Sequence, residues 1–389
     1  MRGFPARHGR AIAFDTGNCI CKLGRMKCDR REFLKTSAAL VTGLGAMNAA
    51  EAAPKPTELP EPTSAKLPRW KGFNLLEKFN AANDRPFLES DFALVAEWGF
   101  NFVRLPLSYH CWSSPTDWRE MNQAALKEID QAVEFGRQYG IHVNLNLHRA
   151  PGYCVNPPAE PRSLWTDAAA LDACCQHWAM FARRYKGISN HHVSFDLLNE
   201  PPVIDDAEYL PVLKALTGAI RQVDPTRLII ADGSEYGRKP VNGFAELRVG
   251  GSTRGYDPFP LTHWKAEWAD GSANWPVPTW PYRDSTGRWD KARIQAERIA
   301  PWKTLESWGV GVHVGEWGVY HRTPHAIALR WMQDMLGAWR EAGWGWALWN
   351  LRGAFGPLDS GRTDVEYESF RGHKLDRAML EVLRADLRA

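Results

Sequence analysis

Cysteine is scarce in this chain, and the few that it has form no recognisable motif. Three of the seven lie in the first 52 residues, which leaves Cys111, Cys154, Cys174 and Cys175. These show no CxxC or Cys/His spacing, which argues against structural zinc. Four thiols allow three disulfide pairings, and sequence does not choose among them. A bridge between Cys111 and Cys154 stays open, whereas the adjacent Cys174 and Cys175 are expected to be buried small residues.

The chain also lacks an excess of charge of either sign and, beyond residue 52, a long apolar run. It has 48 Lys/Arg and 45 Asp/Glu, of which nine and four fall in residues 1–52, so the remainder carries a net charge of −2. Nothing beyond residue 52 is typical of a transmembrane helix. We therefore expect neither nucleic acid nor a membrane surface as a partner.

Residues 1–52 are typical of an export leader. Asp29-Arg30-Arg31-Glu32-Phe33-Leu34-Lys35 precedes a modestly apolar stretch, and Ala50-Glu51-Ala52 resembles a small-residue cleavage site. This is the pattern of a twin-arginine signal, which predicts export to the periplasm or the outside. Met26 would be a natural start, so residues 1–25 are interpreted as a start-site artefact. A Pro-rich connector, 53–68, follows, and 69–389 are predicted to form one domain.

A repeated order of helix, aromatic-Gly stop and apolar strand predicts the fold. Glycine provides the left-handed turn that ends a helix, and continuous apolar runs are typical of parallel strands covered on both faces. Eight strands alternating with helices predict a single-domain α/β protein, a (β/α)8 TIM barrel. An open doubly wound sheet is the alternative, but Gly72-Phe73-Asn74-Leu75 provides no Gly-rich phosphate turn. The predicted strands are Trp70 to Leu75, Phe102 to Leu107, His142 to His148, Val193 to Asn199, Leu228 to Asp232, Arg254 to Phe259, Val312 to Glu316 and Trp346 to Leu351.

Two of the predicted strands end in a glutamate. Phe195-Asp196-Leu197-Leu198-Asn199-Glu200-Pro201-Pro202 ends an apolar run in an Asn-Glu pair, and Val312-His313-Val314-Gly315-Glu316-Trp317 ends another. A barrel builds its site from the C-terminal ends of its strands, and burying an ionisable group there is costly without a purpose. Two carboxylates are the minimum for cleaving a glycosidic bond. Other strand-end candidates, each of which also has a structural explanation, are Arg104, His148, Tyr256 and Trp349.

Tryptophan is unusually frequent, with 19 residues. A Trp-rich core explains part of this, and the remainder suits a surface that stacks on the apolar faces of sugar rings. The segment from Leu261 to Arg288 holds Trp264, Trp268, Trp275 and Trp280 and is too long for a plain connection. We interpret it as a functional loop over the site.

The ordered segments resemble glycoside hydrolase family 5, a family of retaining cellulases and mannanases. Phe195 to Pro201 is similar to the Asn-Glu-Pro signature of the family's fourth strand, and Val314-Gly315-Glu316-Trp317-Gly318 to the nucleophile motif of its seventh. Tyr256-Asp257-Pro258-Phe259-Pro260-Leu261-Thr262-His263-Trp264 resembles its sixth-strand segment. The resemblance covers about residues 68 to 360 and includes Asn101 to Pro106, the strand of His148 and Trp346 to Trp349.

The resemblance implies a retaining glycoside hydrolase in which Glu200 is the acid/base and Glu316 the nucleophile. Arg104 and Tyr256 would hold Glu316 charged, while burial and the second carboxylate would raise the pKa of Glu200. No cofactor or metal is implied, the expected partner is a β-linked oligo- or polysaccharide, and the chain is expected to be a monomer. Substrate binding or support is implied for Arg104, His148, Asn199, Tyr256, Arg254, His263, Trp317, Trp349 and Trp264.

One position departs from the family pattern. The family usually has a histidine two residues before this tyrosine, where this chain has Arg254, and His263 lies too far beyond Tyr256 to substitute. A permanent cation there would either support an anionic nucleophile or read a charged or differently shaped sugar.

The leading hypothesis is a secreted endo-β-1,4-glucanase, with a β-mannanase or an exo-acting β-glucosidase or β-mannosidase as alternatives. A non-catalytic carbohydrate-binding barrel would keep the tryptophans but need not keep both glutamates. A metal hydrolase is disfavoured because His142 and His148 lie at opposite ends of one strand, and His191-His192 begins another.

Overall fold

The computed structural model describes residues 62–389, which form a closed barrel of parallel strands surrounded by helices. Each barrel strand pairs with the next, and the last closes on the first through the pair Lys71 and Trp346. The predicted (β/α)8 barrel is confirmed, whereas the leader and residues 53–61 lie outside the described residues. The strands are β1 Lys71–Asn74, β2 Phe102–Ser108, β3 His142–Ala150, β4 Val193–Asp196, β5 Ile229–Asp232, β6 Gly250–Gly255, β7 Val312–Trp317 and β8 Gly345–Leu348.

The helices begin and end at residues suited to those places. Asn122 and Asp167 accept hydrogen bonds from the first backbone N–H groups of the two helices that follow them. Gly99, Gly140 and Gly309, three of the aromatic-Gly stops, have φ values of 90°, 67° and 84°. The helices are α1 Glu89–Glu97, α2 Gln123–Tyr139, α3 Ala168–Arg184, α4 Asp206–Val223, α5 Phe244–Leu247, α6 Ala300–Glu306, α7 His325–Ala342 and α8 Arg377–Arg388.

Short elements fill the connections. Antiparallel pairs join Tyr282–Asp284 to Gly287–Trp289 and Glu368–Phe370 to His373–Leu375, and Tyr153–Cys154 pairs with the end of β3. The single turns are 3-10 helices at Ala81–Asn83, Tyr109–Cys111 and Ser272–Asn274, α-helical turns at Ser234–Gly237, Phe259–Thr262 and Lys291–Ile294, and a π-helical turn at Gln295–Ile299.

The bounds predicted for the sixth strand are wrong. The strand is Gly250–Gly255 rather than Arg254 to Phe259. Its first residues are glycines because a neighbour packs directly on the backbone: a Cβ on Gly251 would lie 2.7 Å from the ring of Trp302. The sequence of this strand is therefore not an apolar run, and the pattern that indicates the other strands is missing here. Arg254 consequently lies within β6, and Tyr256 follows its C-terminal end.

In the described residues, Cys111, Cys154, Cys174 and Cys175 are all free thiols, so the bridge between the first two is not formed. Residues 62–389 contain no helix long and apolar enough to span a membrane. Within the same range, His, Cys, Asp and Glu side chains do not gather into a group of three or more that could hold a metal ion.

The core accounts for much of the tryptophan excess. Large indole side chains with less than 2% exposure fill the barrel and the layer between barrel and helices. They are Trp70, Trp112, Trp178, Trp302, Trp317, Trp331 and Trp346.

The close contact between β1 and β2 can be tested at Gly72. A Cβ there would lie 1.7 Å from the carbonyl oxygen of Phe102. We expect Gly72→Ala to lower the free energy of unfolding by at least about 1–3 kcal/mol, because paired strands must shift apart. Gly218→Ala in α4 is the control, since nothing lies within 4 Å of its Cβ, and it should stabilise by up to about 1 kcal/mol. Urea denaturation followed by circular dichroism compares them; equal stabilities would contradict the contact.

Candidate active site

The polar residues predicted at the strand ends meet at the C-terminal end of the barrel. Hydrogen bonds and close ion pairs join them into one network, although they come from five different strands or strand ends. The predicted members of this network are Arg104, His148, Asn199, Glu200, Arg254, Tyr256 and Glu316.

Glu316, in β7, is only 4% exposed and is surrounded by donors. Arg104 Nη1 lies 2.5 Å from its Oε1, and the hydroxyl of Tyr256 donates to its Oε2 at 3.3 Å. Arg254 Nη2 approaches Oε1 at 3.4 Å, and His148 Nδ1 lies 3.9 Å away. Two guanidinium groups and a phenol therefore bind this carboxyl group and fix its direction.

Glu200 follows β4 and has an unusual backbone. Its φ is 49°, a left-handed conformation that costs a non-glycine residue about 1–3 kcal/mol. Both of its peptide groups are held: its N–H donates to Asp232 Oδ2 at 2.8 Å, and its carbonyl accepts from the Tyr153 hydroxyl at 2.5 Å. The side chain is 18% exposed, against 5% for that of Glu316. Glu200 is thus the carboxyl group more open to solvent.

Arg254 contacts both glutamates but is paired chiefly with a third acid. Nε donates to Glu200 at 3.1 Å, Nη1 donates to Asp232 Oδ1 at 3.0 Å, and Nη2 donates to Asp232 Oδ2. Ser252 and Asn199 also accept from it. Each guanidinium nitrogen is directed at protein oxygens and the side chain is 2% exposed, which favours support of the carboxyl groups over direct contact with a sugar.

A second buried arginine, Arg104, donates hydrogen bonds to several residues of the same network. It donates to Asp196 at 2.8 Å, to Asn74 at 3.1 Å and to Asn199 at 2.9 Å, besides Glu316. The side-chain oxygen of Asn199 therefore accepts from both arginines. This arrangement orients its amide nitrogen towards His148 Nε2, 3.3 Å away.

The cluster holds two guanidinium groups and four carboxyl groups. Because the carboxyl groups outnumber the cations, some of them keep a proton at higher pH than usual. Burial, followed by the charge of Glu316, raises the pKa of Glu200 to about 7. Burial and the charge of Asp232 likewise raise the pKa of Asp196 to about 7. A carboxyl group that keeps its proton near neutrality can donate that proton, and a carboxylate held by arginine beside it can act as a nucleophile. The pair is therefore equipped for both steps.

Aromatic rings border the network on the side of β3 and β8. The rings of His148 and Trp349 are stacked with centroids 5.5 Å apart, and Phe79 packs edge-on against both. Burial, followed by the charge of Arg104, lowers the pKa of His148 well below its usual value, so the imidazole is neutral.

Three predicted residues lie away from the carboxylates. Trp317 is fully buried and packs against Trp331, Trp339 and Trp346 in the layer between barrel and helices. The side chain of Glu316, the preceding residue of β7, points instead towards Arg104 and Tyr256.

The other two belong to the loop after β6. Trp264 is buried, and its indole N–H donates to the carbonyl of Trp275. His263 stacks on Phe259 and packs edge-on against Tyr256, so it helps to fix the position of the Tyr256 ring.

Sequence reasoning missed Asp196, Asp232 and Asn74. Asp232 ends β5 and Asn74 ends β1, so their places at strand C-termini were the available signal. Asp196 is the last residue of β4, four residues before Glu200, so it too lies at a strand C-terminus. Of the four tryptophans in the loop, Trp268 is the exposed one, at 59%.

Comparisons with known proteins agree with this geometry. The profile of the family described as Cellulase (glycosyl hydrolase family 5) matches residues 61–354. Endoglucanase C of Acetivibrio thermocellus is 24% identical over 288 residues, which cover 68% of this chain and 83% of that protein. Cellodextrinase A of Ruminococcus flavefaciens is 26% identical over 253 residues, which cover 63% and 72%.

Solved structures share the barrel. One described as a glycoside hydrolase superposes with a TM-score of 0.78 at 37% identity and covers 82% of this chain and 99% of its own. Cel5A of Thermotoga maritima superposes with a TM-score of 0.65 at 22% identity, covering 81% and 96%, which shows the fold alone. Since the profile match spans most of the chain and includes both Glu200 and Glu316, the chain belongs to glycosyl hydrolase family 5, the cellulase family, and is a glycoside hydrolase.

Proposed function

We propose that the enzyme cleaves β-1,4-linked glucans internally by double displacement, with Glu316 as nucleophile and Glu200 as acid/base. The observation that carries this is that one guanidinium group, Arg254, donates to both glutamates, through Nε and through Nη2. Carboxyl groups that share one guanidinium are close together. Retaining enzymes need a separation of about 5–5.5 Å, shorter than the gap that inverting enzymes leave for water.

The environments of the two glutamates match the two roles. Glu316 would attack the anomeric carbon while Glu200 gives its proton to the departing glycosidic oxygen. Glu200 would then take a proton from water, and the resulting hydroxide equivalent would release the sugar from Glu316. Arg104 and Tyr256 hold the attacking carboxylate in place throughout.

Glucan is favoured as the substrate by relatives named endoglucanase and cellodextrinase. Trp349 beside the carboxylates, and the exposed Trp268 and Phe259 beyond Tyr256, would stack on sugar rings. Trp280 donates to Asp334 of α7, so this part of the loop lies against a helix rather than across the barrel end. That favours an open cleft and internal cleavage.

β-Mannan is the second candidate. Cel5A of Thermotoga maritima, which shares the barrel, has been solved with cellobiose and with mannotriose. Hydrolysis of cello- and manno-oligosaccharides, with products resolved by length, would separate the two substrates and separate internal from terminal cleavage.

The two glutamate roles can be separated by azide rescue. Glu316→Gly should abolish hydrolysis of cello-oligosaccharides, and azide or formate should partly restore turnover by occupying the place of the lost carboxylate. Glu200→Gly suits the left-handed backbone and should lower kcat/KM on the same substrates by about 10²–10⁴-fold. With an activated aryl cellobioside and azide, it should yield the β-glycosyl azide, which NMR identifies.

Glu235→Gln is the control, because Glu235 is an exposed rim carboxylate with a side chain 42% accessible. It should behave like the wild type. Wild-type hydrolysis by Glu316→Gly would refute the assignment of the nucleophile.

The raised pKa of Glu200 predicts the alkaline limb of the activity profile. Glu200 must carry its proton to assist the leaving group, so kcat/KM should fall as pH rises through about 7. Substrates whose leaving groups need no proton should lose this limb. Profiles for cellotetraose and a dinitrophenyl cellobioside make the comparison; identical limbs would contradict the role of Glu200.

We also propose export through the twin-arginine route, supported by the motif around Arg30 and Arg31. Replacing both with lysine should retain the protein in the cytoplasm, because a receptor reads the arginine pair. Fractionation and immunoblotting would show this, with Lys27→Arg as the control, since Lys27 follows Met26 and lies outside the arginine pair. Unchanged export of the double variant would contradict the proposal.

A further inference from the structure

Asp232 connects two different parts of the site. It is the last residue of β5, its side chain is fully buried, and its carboxylate accepts from both terminal nitrogens of Arg254. The same carboxylate accepts the backbone N–H of Glu200 at 2.8 Å. One side chain thus fixes the backbone of the acid/base and clamps the cation beside it.

Arg254 by itself is a poor neighbour for a general acid. Its Nε lies 3.1 Å from Glu200, and an adjacent permanent cation favours the ionised form of a carboxyl group. A general acid must instead keep its proton at the working pH. Orientation by an arginine therefore requires a counter-charge close to that arginine.

The local chain is built to receive an arginine at position 254. A Cβ on Gly315 would lie 2.9 Å from Arg254 Nη1, and one on Gly237 would lie 2.7 Å from its Cγ. Two glycines from neighbouring segments thus leave room for the side chain. Ser252 Oγ and the Thr253 carbonyl accept from the same Nη1, which completes the slot.

We propose that Asp232 is a positioning residue that neutralises Arg254, so that Arg254 orients the carboxyl group of Glu200 without ionising it. This inference rests on the proposed role of Glu200 as acid/base. Asp232 acts through Arg254 and through the Glu200 backbone and does not itself touch the substrate.

The balance of charge around Glu200 sets the expected signs. Burial, the charge of Glu316 and the charge of Asp232 raise its pKa, whereas Arg254 and Arg104 lower it. Two phenols also face this carboxyl group, from the turn after β3 and from the end of β6. The titratable and charged groups around Glu200 are Glu316, Arg254, Asp232, Arg104, Tyr153 and Tyr256.

The test is a titration of the Glu200 carboxyl carbon by ¹³C NMR in enzyme labelled at glutamate, with the resonance assigned by Glu200→Gln. Asp232→Asn keeps the size and an oxygen acceptor but removes the counter-charge, so the Glu200 pKa should fall by about 1 unit or more. Arg254→Gln removes the cation and should raise it by about 1–3 units. The double variant should return towards the wild type. The alkaline limb of kcat/KM should move in the same directions.

Asp224→Asn is the matched control. Asp224 is a buried aspartate paired with a buried arginine, Arg227, at 2.8 Å, outside the network of Glu200. Its loss should lower stability and leave the titration of Glu200 unchanged. A merely structural role for Asp232 would likewise reduce stability and activity without shifts of opposite sign.

The outcomes separate the inference from the function. An unchanged or raised Glu200 pKa in Asp232→Asn overturns the inference even if the enzyme hydrolyses glucans. The expected shifts in a protein that cleaves no β-glycoside would support the coupling and refute the proposed function. If Asp232→Asn does not fold, Arg254→Gln alone decides, because an unchanged Glu200 pKa there also overturns the inference.

Discussion

The burial of two arginines among four carboxyl groups is the constraint on which this site depends. Arg104 is 0% and Arg254 4% exposed, and each ion taken out of water costs several kcal/mol unless close partners compensate it. The partners come from β4, β5 and β7, with Asn199 shared between both guanidinium groups. The charges are therefore compensated only when the barrel is closed in its native register.

Closing the barrel around these charges requires both glycine and tryptophan. Gly315 and Gly251 lack side chains where Arg254 and Trp302 need the room. Trp317 fills the space outside β7, directly behind Glu316, and so holds the strand that carries this glutamate. The tryptophan excess thus serves packing as well as the exposed rings near the site.

The two catalytic candidates differ in what surrounds them rather than in their chemistry. Glu316 accepts from Arg104 and Tyr256, whereas Glu200 is more exposed and shares its arginine with Asp232. Unlike surroundings suit identical side chains to the two roles proposed for them, proton donor and nucleophile. The substitution of Arg254 for the family histidine is compatible with this division because it occurs together with a buried counter-charge.

Local patterns in the sequence determined seven of the eight barrel strands, the aromatic-Gly stops and the places of Glu200 and Glu316 at strand ends, since each is visible as an apolar run followed by a turn or a polar residue. Only the tertiary structure decided the bounds of the glycine-led β6, the burial of Trp317 and the pairing of Asp232 with Arg254. The reason is that these depend on contacts between separate strands: Asp232 meets Arg254 across 22 residues and Arg104 meets Glu316 across 212. Such distances leave no local pattern to read.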